Sequence, residues 1–496
     1  MIYRKPVTKS TAKRIHGIIG LYNYWRKFMA ISHPLEPLYN QESKILILGS
    51  FPSVKSREMG FYYAHPQNRF WKVLSSVLDV PCPATVEQKK AMLLEHHIAL
   101  WDVIASCEIE GSSDSSIHDV IPNNLNRILS SGSIRMIYCN GNTAYRLYQK
   151  YLQQKYSSYP VTKLPSTSPA NAACQLPMLC TAWARIMHIL KRDNWELPYY
   201  SLNCFAQDFY DCKLYRLSLS GGFTCPNRDG KIDTRGCIFC DGGGAGDFGG
   251  GSRAIPAQLD LQKQLIAAKL PKNKCVKYIA YFQSFTGTYA PADRLRKIYS
   301  EAVADPQVAV LSIATRPDCL GPEVLEVLAE MNRTIPVWIE LGLQTANERT
   351  AEYIRRGYPN KEYAQAVRNL QAIGIREIIT HIILGLPNET RKDMLYSIQY
   401  ACDCGTTGLK LQLLHVLEQT DLAADYEAGA FEVLALEEYL EIVEDCIRVI
   451  PPDIVIHRLT GDGNKKHLIA PLWSADKKRV INEMSRRLKN GYHTKK

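Results

Sequence analysis

Apolar and polar positions alternate in long blocks over the second half of the chain, from about residue 197. Near-continuous apolar runs of strand length occupy residues 276–282, 308–315, 336–343, 377–386 and 408–416. Helical spacing of apolar residues is found between them, at residues 292–304, 321–331 and 360–374. This alternation predicts a parallel sheet with helical crossovers. Six or so such units amount to a full or partial (β/α)6 barrel, in which chemistry lies at the C-terminal ends of the strands.

The first part of the chain shows a second alternating series. Residues 44–53 read as a buried strand that runs into a Gly/Ser/Pro turn, and residues 133–141 read as another strand. Helical periodicity is found at residues 69–78, 87–100 and 143–152. The pattern predicts a second α/β domain.

A helical pattern that ends near residue 192, followed by a polar stretch, predicts a domain boundary. We therefore expect a first domain at 29–195 and a barrel core at 196–455. Residues 1–28 form a basic extension of unknown role, and residues 456–496 a basic helical extension. Two or three domains also suit the length of 496 residues.

Composition describes a globular protein. Hydrophobic residues make up 46% of the chain and charged residues 22%, and no apolar stretch reaches the about 18 residues of a membrane span. The N-terminus lacks a signal-peptide pattern, so no membrane role is expected. The 15 cysteines are odd in number and scattered, which favours reduced thiols in a cytoplasm, a few of them committed to metal.

The positive charge is concentrated in the first part. Residues 1–195 hold 23 Lys and Arg against 12 Asp and Glu, whereas the remaining residues hold 37 of each. This asymmetry favours a first domain that meets a polyanion. Residues 1–28 alone supply seven of the basic residues, so a solvated basic tail on an ordinary enzyme is the alternative.

Three cysteines, Cys225, Cys237 and Cys240, carry the strongest chemical signal. Cys237 and Cys240 form a CxxC pair, and Cys225 lies twelve residues upstream. Three thiolates can hold a 4Fe–4S cluster and leave its fourth iron open, as radical chemistry with S-adenosylmethionine (SAM) requires. A zinc site and unliganded structural cysteines are the alternatives. Candidates for a fourth zinc ligand, none with suitable spacing, are Cys204, Cys212 and Cys275.

The sequence around and after these cysteines resembles radical SAM proteins related to the catalytic subunit of Elongator. The motifs are LYRLSLSGGFTCPNRDG, GCIFCDGGGAGDFG, AYFQSFTGTYAP, SIATRPDCL, WIELGLQT, THIILGLPNET and LKLQLLHVLEQT, in that order. The resemblance covers roughly residues 198–490. It implies that the three cysteines ligate a 4Fe–4S cluster, with SAM as co-substrate and a donor such as flavodoxin or ferredoxin. It also implies transfer RNA, in particular its wobble uridine, as substrate; a small molecule is the alternative.

The later motifs of this family fall on predicted strand ends, where a barrel places SAM contacts. By the resemblance, Phe239 lies near the adenine, and Gln283 and Ser284 are candidates for the methionine amino group. The candidates for the carboxylate, the ribose and further SAM contacts are Thr315, Arg316, Asp318, Glu340 and Gln344. Pairing of Glu340 with a cation such as Arg316 is the alternative role.

Two further features of the second half have weaker interpretations. His381 begins a predicted strand and faces either the barrel lumen or the core. Cys402 and Cys404 form a CxC pair near a helix end, which we interpret as incidental rather than as a second metal site.

The first half resembles the uracil-DNA glycosylase superfamily, in particular the DNA-deoxyinosine (hypoxanthine) glycosylases. The motifs are GSFPS, YYAHPQNRFW, LWDVIASCEIEGSSDSSI and LPSTSPANAA, within about residues 29–193. The resemblance implies a three-layer α/β/α fold, DNA as partner, and a base flipped out of the duplex. Many members place Asn or Asp in the first turn, where this chain has Phe51. The deoxyinosine subgroup uses the Asn of HPxN instead, so the resemblance implies Asn68 as the catalytic residue that orients water; a helix N-cap is its alternative role.

The same resemblance assigns further contacts to the flipped base and to DNA. Phe51 and Tyr63 are expected to stack on the base, and His65 to hydrogen-bond it. The loop residues expected to press on the phosphate backbone are Ser168, Pro169 and Asn171. Asp114 and Ser115 are expected to shape the pocket.

The sequence thus predicts a bifunctional fusion. The first half hydrolyses the N-glycosidic bond of a deaminated base, hypoxanthine or uracil, and the second half performs radical SAM chemistry on a substrate such as tRNA. The alternative is a nucleic-acid-binding protein with a structural zinc site and an inactive glycosylase-like recognition domain.

Overall fold

The structure, a computed structural model, describes residues 30–130, 132–240, 253–270, 275–461, 463 and 465–493. It divides into two compact units, residues 1–174 (unit 1) and 175–496 (unit 2). The predicted extension at 1–28 and the glycine-rich stretch after Cys240 lie outside the described residues. None of the described helices has the length and hydropathy needed to cross a membrane.

Unit 1 is built on a parallel sheet. Its strands are β1 (Ile31–Ser32), β2 (Ile45–Gly49), β3 (Ile98–Asp102), β4 (Ile104–Glu108), β5 (His118–Pro122), β6 (Met136–Asn140) and β7 (Val161–Leu164). Four of them form the parallel sheet in the order β3-β2-β6-β7, and β1-β4-β5 form a small antiparallel sheet. Every residue of β2 and β3 is buried, as expected for parallel strands covered on both faces.

The helices of unit 1 follow the sequence pattern with one correction. They are α1 (Val54–Met59), α2 (Phe70–Leu78), α3 (Val86–Glu95), α4 (Asn126–Leu129) and α5 (Asn142–Tyr151). The helix predicted over 87–100 is wrong in its last residues. It ends at Glu95, His97 adopts a positive φ of 59°, and the next five residues pair with β2 as strand β3. Pairing satisfies the backbone of this fully buried segment.

Unit 2 is built on a larger parallel sheet. Its strands are β8 (Tyr200–Ser201), β9 (Leu214–Leu219), β10 (Lys277–Phe282), β11 (Val308–Thr315), β12 (Val337–Gln344), β13 (Glu377–Leu384), β14 (Gly408–Leu413), β15 (Val416–Leu417), β16 (Val455–Arg458) and β17 (Leu468–Ala470). The sheet has the order β8-β16-β14-β13-β12-β11-β10-β9, and β15 pairs with β17 separately. Strands β8 and β9 are its edges, so the barrel is open between them. The expected partial barrel is confirmed, together with the α/β class.

Helices connect the strands of unit 2, and several of them pack on the convex face of the sheet. They are α6 (Leu176–Trp183), α7 (Met187–Leu190), α8 (Leu202–Tyr210), α9 (Ile255–Ile266), α10 (Ala292–Val303), α11 (Pro322–Asn332), α12 (Glu348–Tyr353), α13 (Asn360–Ala372), α14 (Arg391–Cys404), α15 (Asp421–Glu427), α16 (Leu436–Val449) and α17 (Lys477–His493). The main core joins outward strand residues such as Ala280 and Ile339 to helix residues such as Val327 and Leu370.

The inward-facing residues of the sheet form a different cluster. Ile279, Val310, Trp338 and Ile379 pack with residues of α8 and close the N-terminal end of the half-barrel. Strand side chains alternate between the two faces, so polar side chains further along the same strands point into the interior above this apolar layer. The candidate site therefore lies at the opposite, C-terminal end.

The compact units divide earlier in the chain than the boundary expected near residue 195. Arg185 forms a buried bidentate pair with Asp453, at 2.6 and 2.9 Å, and His188 hydrogen-bonds the backbone carbonyl of Asp453 at 2.8 Å. These contacts attach α6 and α7 to unit 2. Residues 455–458, at the start of the expected C-terminal extension, form strand β16 of the main sheet.

Candidate active sites of the two units

The three cysteines of unit 2 lie on the loop that follows β9, at the C-terminal edge of the sheet. The backbone N–H of Arg228 donates to the carbonyl of Cys225 at 2.8 Å, and that of Cys240 donates to Cys237 at 3.0 Å. The Arg228 guanidinium donates to the Cys240 carbonyl at 2.7 Å. The Asn227 amide donates to Cys237 Sγ at 3.5 Å. These bonds fold the loop so that all three thiols line one cavity.

The spacing of the three sulfurs distinguishes between the two kinds of metal centre. Among the described residues, Glu108, His118 and Asp119 of unit 1 are the one triad whose ligand atoms all lie within 4.8 Å of one another. At least one pair of the three cysteine sulfurs is therefore more than 4.8 Å apart. A tetrahedral zinc, with Zn–S bonds of about 2.3 Å, holds its sulfurs under ~4 Å apart, whereas a 4Fe–4S cluster binds each thiolate through a different iron. The donor set fits the cluster.

The cavity beside the cysteines has a volume of about 160 Å³. Six of the eight predicted SAM contacts line it: Phe239, Gln283, Thr315, Arg316, Glu340 and Gln344. They come from the ends of different strands, as the barrel geometry requires. Ser284 and Asp318 are not among its lining residues. Asp318 instead forms a bidentate pair with Arg316, at 3.0 and 2.8 Å, and so acts on the cavity through that guanidinium.

Glu340 lies at the floor of the cavity and is 1% exposed. Its partners are Lys410 Nζ, Tyr281 OH at 2.8 Å, His381 Nε2 at 2.9 Å and Ser312 Oγ at 3.2 Å. The cation that pairs with this carboxylate is thus Lys410, and the suggested pairing with Arg316 is wrong. Burial opposes ionisation, yet Lys410 and His381 hold the pKa of Glu340 well below its usual value.

His381 faces the lumen. It lines the cavity and lies between Glu340 and Gln412, whose side chain is 3.1 Å from Nδ1. Burial lowers the pKa of His381, so the imidazole is neutral at pH 7 and can hold or pass a proton.

The sequence reasoning missed several residues of this cavity. Arg356, Tyr358 and Gln412 all line it. Arg356 is 1% exposed and donates to the carbonyl of Leu343 at 3.0 Å and to that of Thr345 at 2.6 Å. The Arg355-Arg356 pair is visible in the sequence, but nothing there shows that one arginine turns inward while the other pairs with Asp421.

In unit 1, Asn68 lies just before α2. Its Oδ1 accepts hydrogen bonds from the backbone N–H of Phe70 at 2.9 Å and from Thr167 Oγ1 at 3.1 Å. Thr167 in turn accepts a bond from the Asn140 side chain at 3.0 Å and donates its own N–H to that residue at 3.0 Å. The bond to Phe70 is a capping interaction at the helix start. The hydrogen bond from Thr167 fixes the plane of the Asn68 amide. Nδ2 is then the Asn68 atom that can donate a hydrogen bond to a water.

The residues expected to contact the flipped base have different environments. Tyr63 stacks on Phe70, with ring centroids 3.9 Å apart, and its hydroxyl is buried without a hydrogen-bond partner. Phe51 is buried and packs edge-on against His33 at 5.8 Å. His65 is exposed. Phe51 and Tyr63 therefore contribute to the packing of unit 1, whereas the His65 side chain is exposed to solvent.

Arg69, a residue that the sequence reasoning did not single out, holds in place the loop that contains Ser168, Pro169 and Asn171. The Arg69 guanidinium donates to the carbonyls of Ser168 at 2.7 Å and Asn171 at 3.0 Å, and also to Cys174. Because Arg69 follows Asn68 directly, this contact ties the loop to the catalytic candidate.

The turn after β2 is also tied to distant segments. Ser50 Oγ donates to Asp114 at 2.9 Å, which brings the GSSDSS segment beside the first turn. Gly49 approaches Asp102 so closely that an added Cβ would lie 2.1 Å from Oδ1. Asp102 is 4% exposed and hydrogen-bonds His33 Nε2 at 2.8 Å. A short-range motif search misses this carboxylate because only the strand pairing places it there.

Known families match both halves. Residues 36–187 match the uracil DNA glycosylase superfamily. Residues 233–401 match the radical SAM superfamily, and residues 406–490 match its C-terminal domain.

Three curated proteins illustrate the similarity. The uncharacterized protein YtqA of Bacillus subtilis is 40% identical over 299 residues, 60% of this chain and 91% of that protein. Hypoxanthine DNA glycosylase of Methanosarcina acetivorans is 34% identical over 134 residues, 27% of this chain and 83% of that protein. The tRNA uridine(34) acetyltransferase of Methanocaldococcus jannaschii is 25% identical over 162 residues, 32% of this chain and 29% of that protein.

Proposed function

This chain belongs to two enzyme families, the uracil DNA glycosylase superfamily and the radical SAM superfamily, and from that membership we propose a bifunctional enzyme of nucleic acids. Its cofactors are a 4Fe–4S cluster and SAM. The first half removes a deaminated base, hypoxanthine or uracil, from DNA. The second half modifies RNA by radical chemistry, and the nucleoside that it modifies is the wobble uridine of tRNA.

For the radical half, the observation that carries the proposal is the cavity shared by three cysteines and the strand-end polar groups. Cys225, Cys237 and Cys240 would hold the cluster, which supplies the electron that cleaves SAM. Burial raises the pKa of the Cys237 thiol to about 11, so this ligand would release its proton on binding the cluster. The chain's own residues bind and orient SAM: Arg316, held in place by Asp318, offers a cation to its carboxylate.

Anaerobic reconstitution of the full chain tests this assignment. We expect about four irons per chain and release of 5′-deoxyadenosine from SAM under reduction. Cys237→Ala should lose both, whereas Cys82→Ala, an exposed cysteine of unit 1, should lose neither. One tightly bound zinc without SAM cleavage would instead support the alternative of a structural zinc site.

The substrate assignment rests on the partial similarity to a tRNA uridine(34) acetyltransferase. Nucleosides from the tRNA of cells that lack this chain should show a changed wobble uridine, and the gene should restore it. An unchanged nucleoside profile would reject tRNA as the substrate. A Cys237→Ala gene that restores the profile would show that the radical half is not responsible.

For the glycosylase half, the proposal rests on the Asn140–Thr167–Asn68 hydrogen-bond chain. Since both acceptor positions of Asn68 Oδ1 are occupied, Asn68 would hold the attacking water by donation from Nδ2. The water adds to C1′ as the C1′–N bond breaks, the bond electrons leave with the base, and the proton released by the added water neutralises the departing base anion. A water held by an amide is oriented without a strong base, as suits a departing base that carries the negative charge.

Alkali cleavage of a duplex that contains deoxyinosine measures this activity. Asn68→Ala should abolish cleavage while duplex binding is retained. Gln67→Ala, the exposed neighbour, should cleave normally. Unchanged cleavage by Asn68→Ala would reject the role of this residue, and no cleavage by the unaltered protein would reject the activity.

A further inference from the structure

A second cavity of unit 2 lies on the open side of the half-barrel. Its volume is about 510 Å³, and its walls come from the start of β9, from β16, and from the first turns of α8 and α17. The basic residues that line it are Lys213, Arg216, His457, Arg458 and Lys477. None of the described residues that line it is acidic, although residues 196–496 as a whole carry no net charge. The cavity therefore concentrates positive charge in an otherwise balanced unit.

Two of these basic side chains have buried nitrogens without a hydrogen-bond partner among the described residues. They are Nη2 of Arg216 and Nδ1 of His457. His457 is 8% exposed, and its ring packs edge-on against Trp338 at 5.5 Å. A buried polar nitrogen left unpaired is destabilising, so such groups are normally satisfied by a partner. Both line the cavity, where a ligand can supply that partner.

The barrel interior next to the cavity is also rich in cations. Arg216 lies over the Tyr281 ring at 5.6 Å, and Lys410 lies over the same ring at 4.6 Å. Burial lowers the pKa of Lys410, with Arg216 and Arg458 adding to the effect and Glu340 opposing it. One carboxylate thus faces several cations. An anion bound in the cavity would balance them.

We propose that this lateral cavity binds a phosphate group of the substrate. Arginine and lysine are the usual phosphate ligands in proteins, and the first turn of α8 presents the positive end of its helix dipole. The volume exceeds that of one phosphate, so it also accommodates the group to which the phosphate is attached. Arg216 and His457 border the interior network of Glu340 and Tyr281, so a phosphate anchored here directs the ligand toward the SAM cavity.

Calorimetric titration of the reconstituted full chain tests the proposal, with pyrophosphate and tRNA as separate probes. Arg216→Gln should weaken phosphate binding by on the order of 10-fold, the loss of a charged hydrogen bond. Lys213→Glu, an exposed rim residue, should weaken it several-fold without a risk to folding. Lys361→Glu makes the same charge change at an exposed position of α13 outside the cavity and should have no effect.

The pattern of losses identifies the source of the phosphate. Weakened tRNA binding in both cavity variants places a nucleic-acid phosphate in the cavity, whether or not pyrophosphate binds. Weakened pyrophosphate binding with unchanged tRNA binding indicates a small phosphorylated ligand. Unchanged binding of both probes, or an equal loss in Lys361→Glu, overturns the site. Release of 5′-deoxyadenosine by the same unaltered preparation reports separately on the proposed radical chemistry.

Discussion

Removing Lys410 while leaving Glu340 tests the energetics of the half-barrel interior. In Lys410→Met, the Glu340 carboxylate keeps Tyr281, Ser312 and His381 as partners but loses its cation while remaining 1% exposed. Breaking a buried pair from one side costs about 3–5 kcal/mol. For the roughly 320 residues of unit 2, an unfolding entropy of about 2.1 cal/mol/K per residue converts this loss into a fall in Tm of about 4–7 °C.

Thermal unfolding of the full chain, followed by calorimetry, measures this shift. The transition of unit 1 is the internal control and should not move. The double variant Lys410→Met/Glu340→Gln should recover much of the loss, because no unpaired charge remains. A fall in Tm of Lys410→Met below about 1 °C, or an equal fall in the double variant, would refute the reasoning.

The effect should depend on pH in a defined direction. In the unaltered protein the pKa of Glu340 lies well below its usual value, so its ionised form adds stability above the unfolded pKa of about 4.3 and that stability is lost as pH falls. Without Lys410, burial raises the pKa of Glu340. The deficit of Lys410→Met should therefore grow from pH 4 to pH 7. A deficit independent of pH would contradict this account.

Two further predictions concern unit 1. Thr167→Val removes the donor to Asn68 Oδ1 and should lower the rate of deoxyinosine cleavage about 10-fold, the value of one hydrogen bond, with KM for the duplex unchanged; an unaltered rate would exclude this positioning role. Gly49→Ala places a Cβ 2.1 Å from Asp102 Oδ1 and should destabilise unit 1 by about 1–3 kcal/mol. Calorimetry would contradict it by showing an unmoved unit 1 transition.

The sequence alone was sufficient for five strands of the main sheet of unit 2, β10 to β14. Near-continuous apolar runs at 308–315 and 336–343 became β11 and β12 with little change of bounds, because parallel strands covered on both faces have few polar positions. The cysteine spacing and the order of the later motifs likewise predicted where the radical SAM cavity would form. These sequence patterns are local, so they can be recognised without knowledge of the fold.

The pairings across the half-barrel required the tertiary structure. Lys410 reads in the sequence as one polar residue in an apolar strand, and only the pairing of β13 with β14 brings it level with His381 and beside Glu340. Arg185 belonged by pattern to the first domain, yet its buried pair with Asp453 attaches it to unit 2.

The sequence therefore determined which families the chain belongs to and where the apolar strands β10 to β14 of unit 2 lie. The tertiary structure decided which of those residues meet, and it alone disclosed the basic lateral cavity. The physical reason is that Arg216 and His457 are far apart in the sequence of unit 2. They line one cavity only because the sheet curls. The curvature of the sheet cannot be inferred from sequence spacing, whereas the charge of the cavity and the burial of its lining side chains depend on it directly.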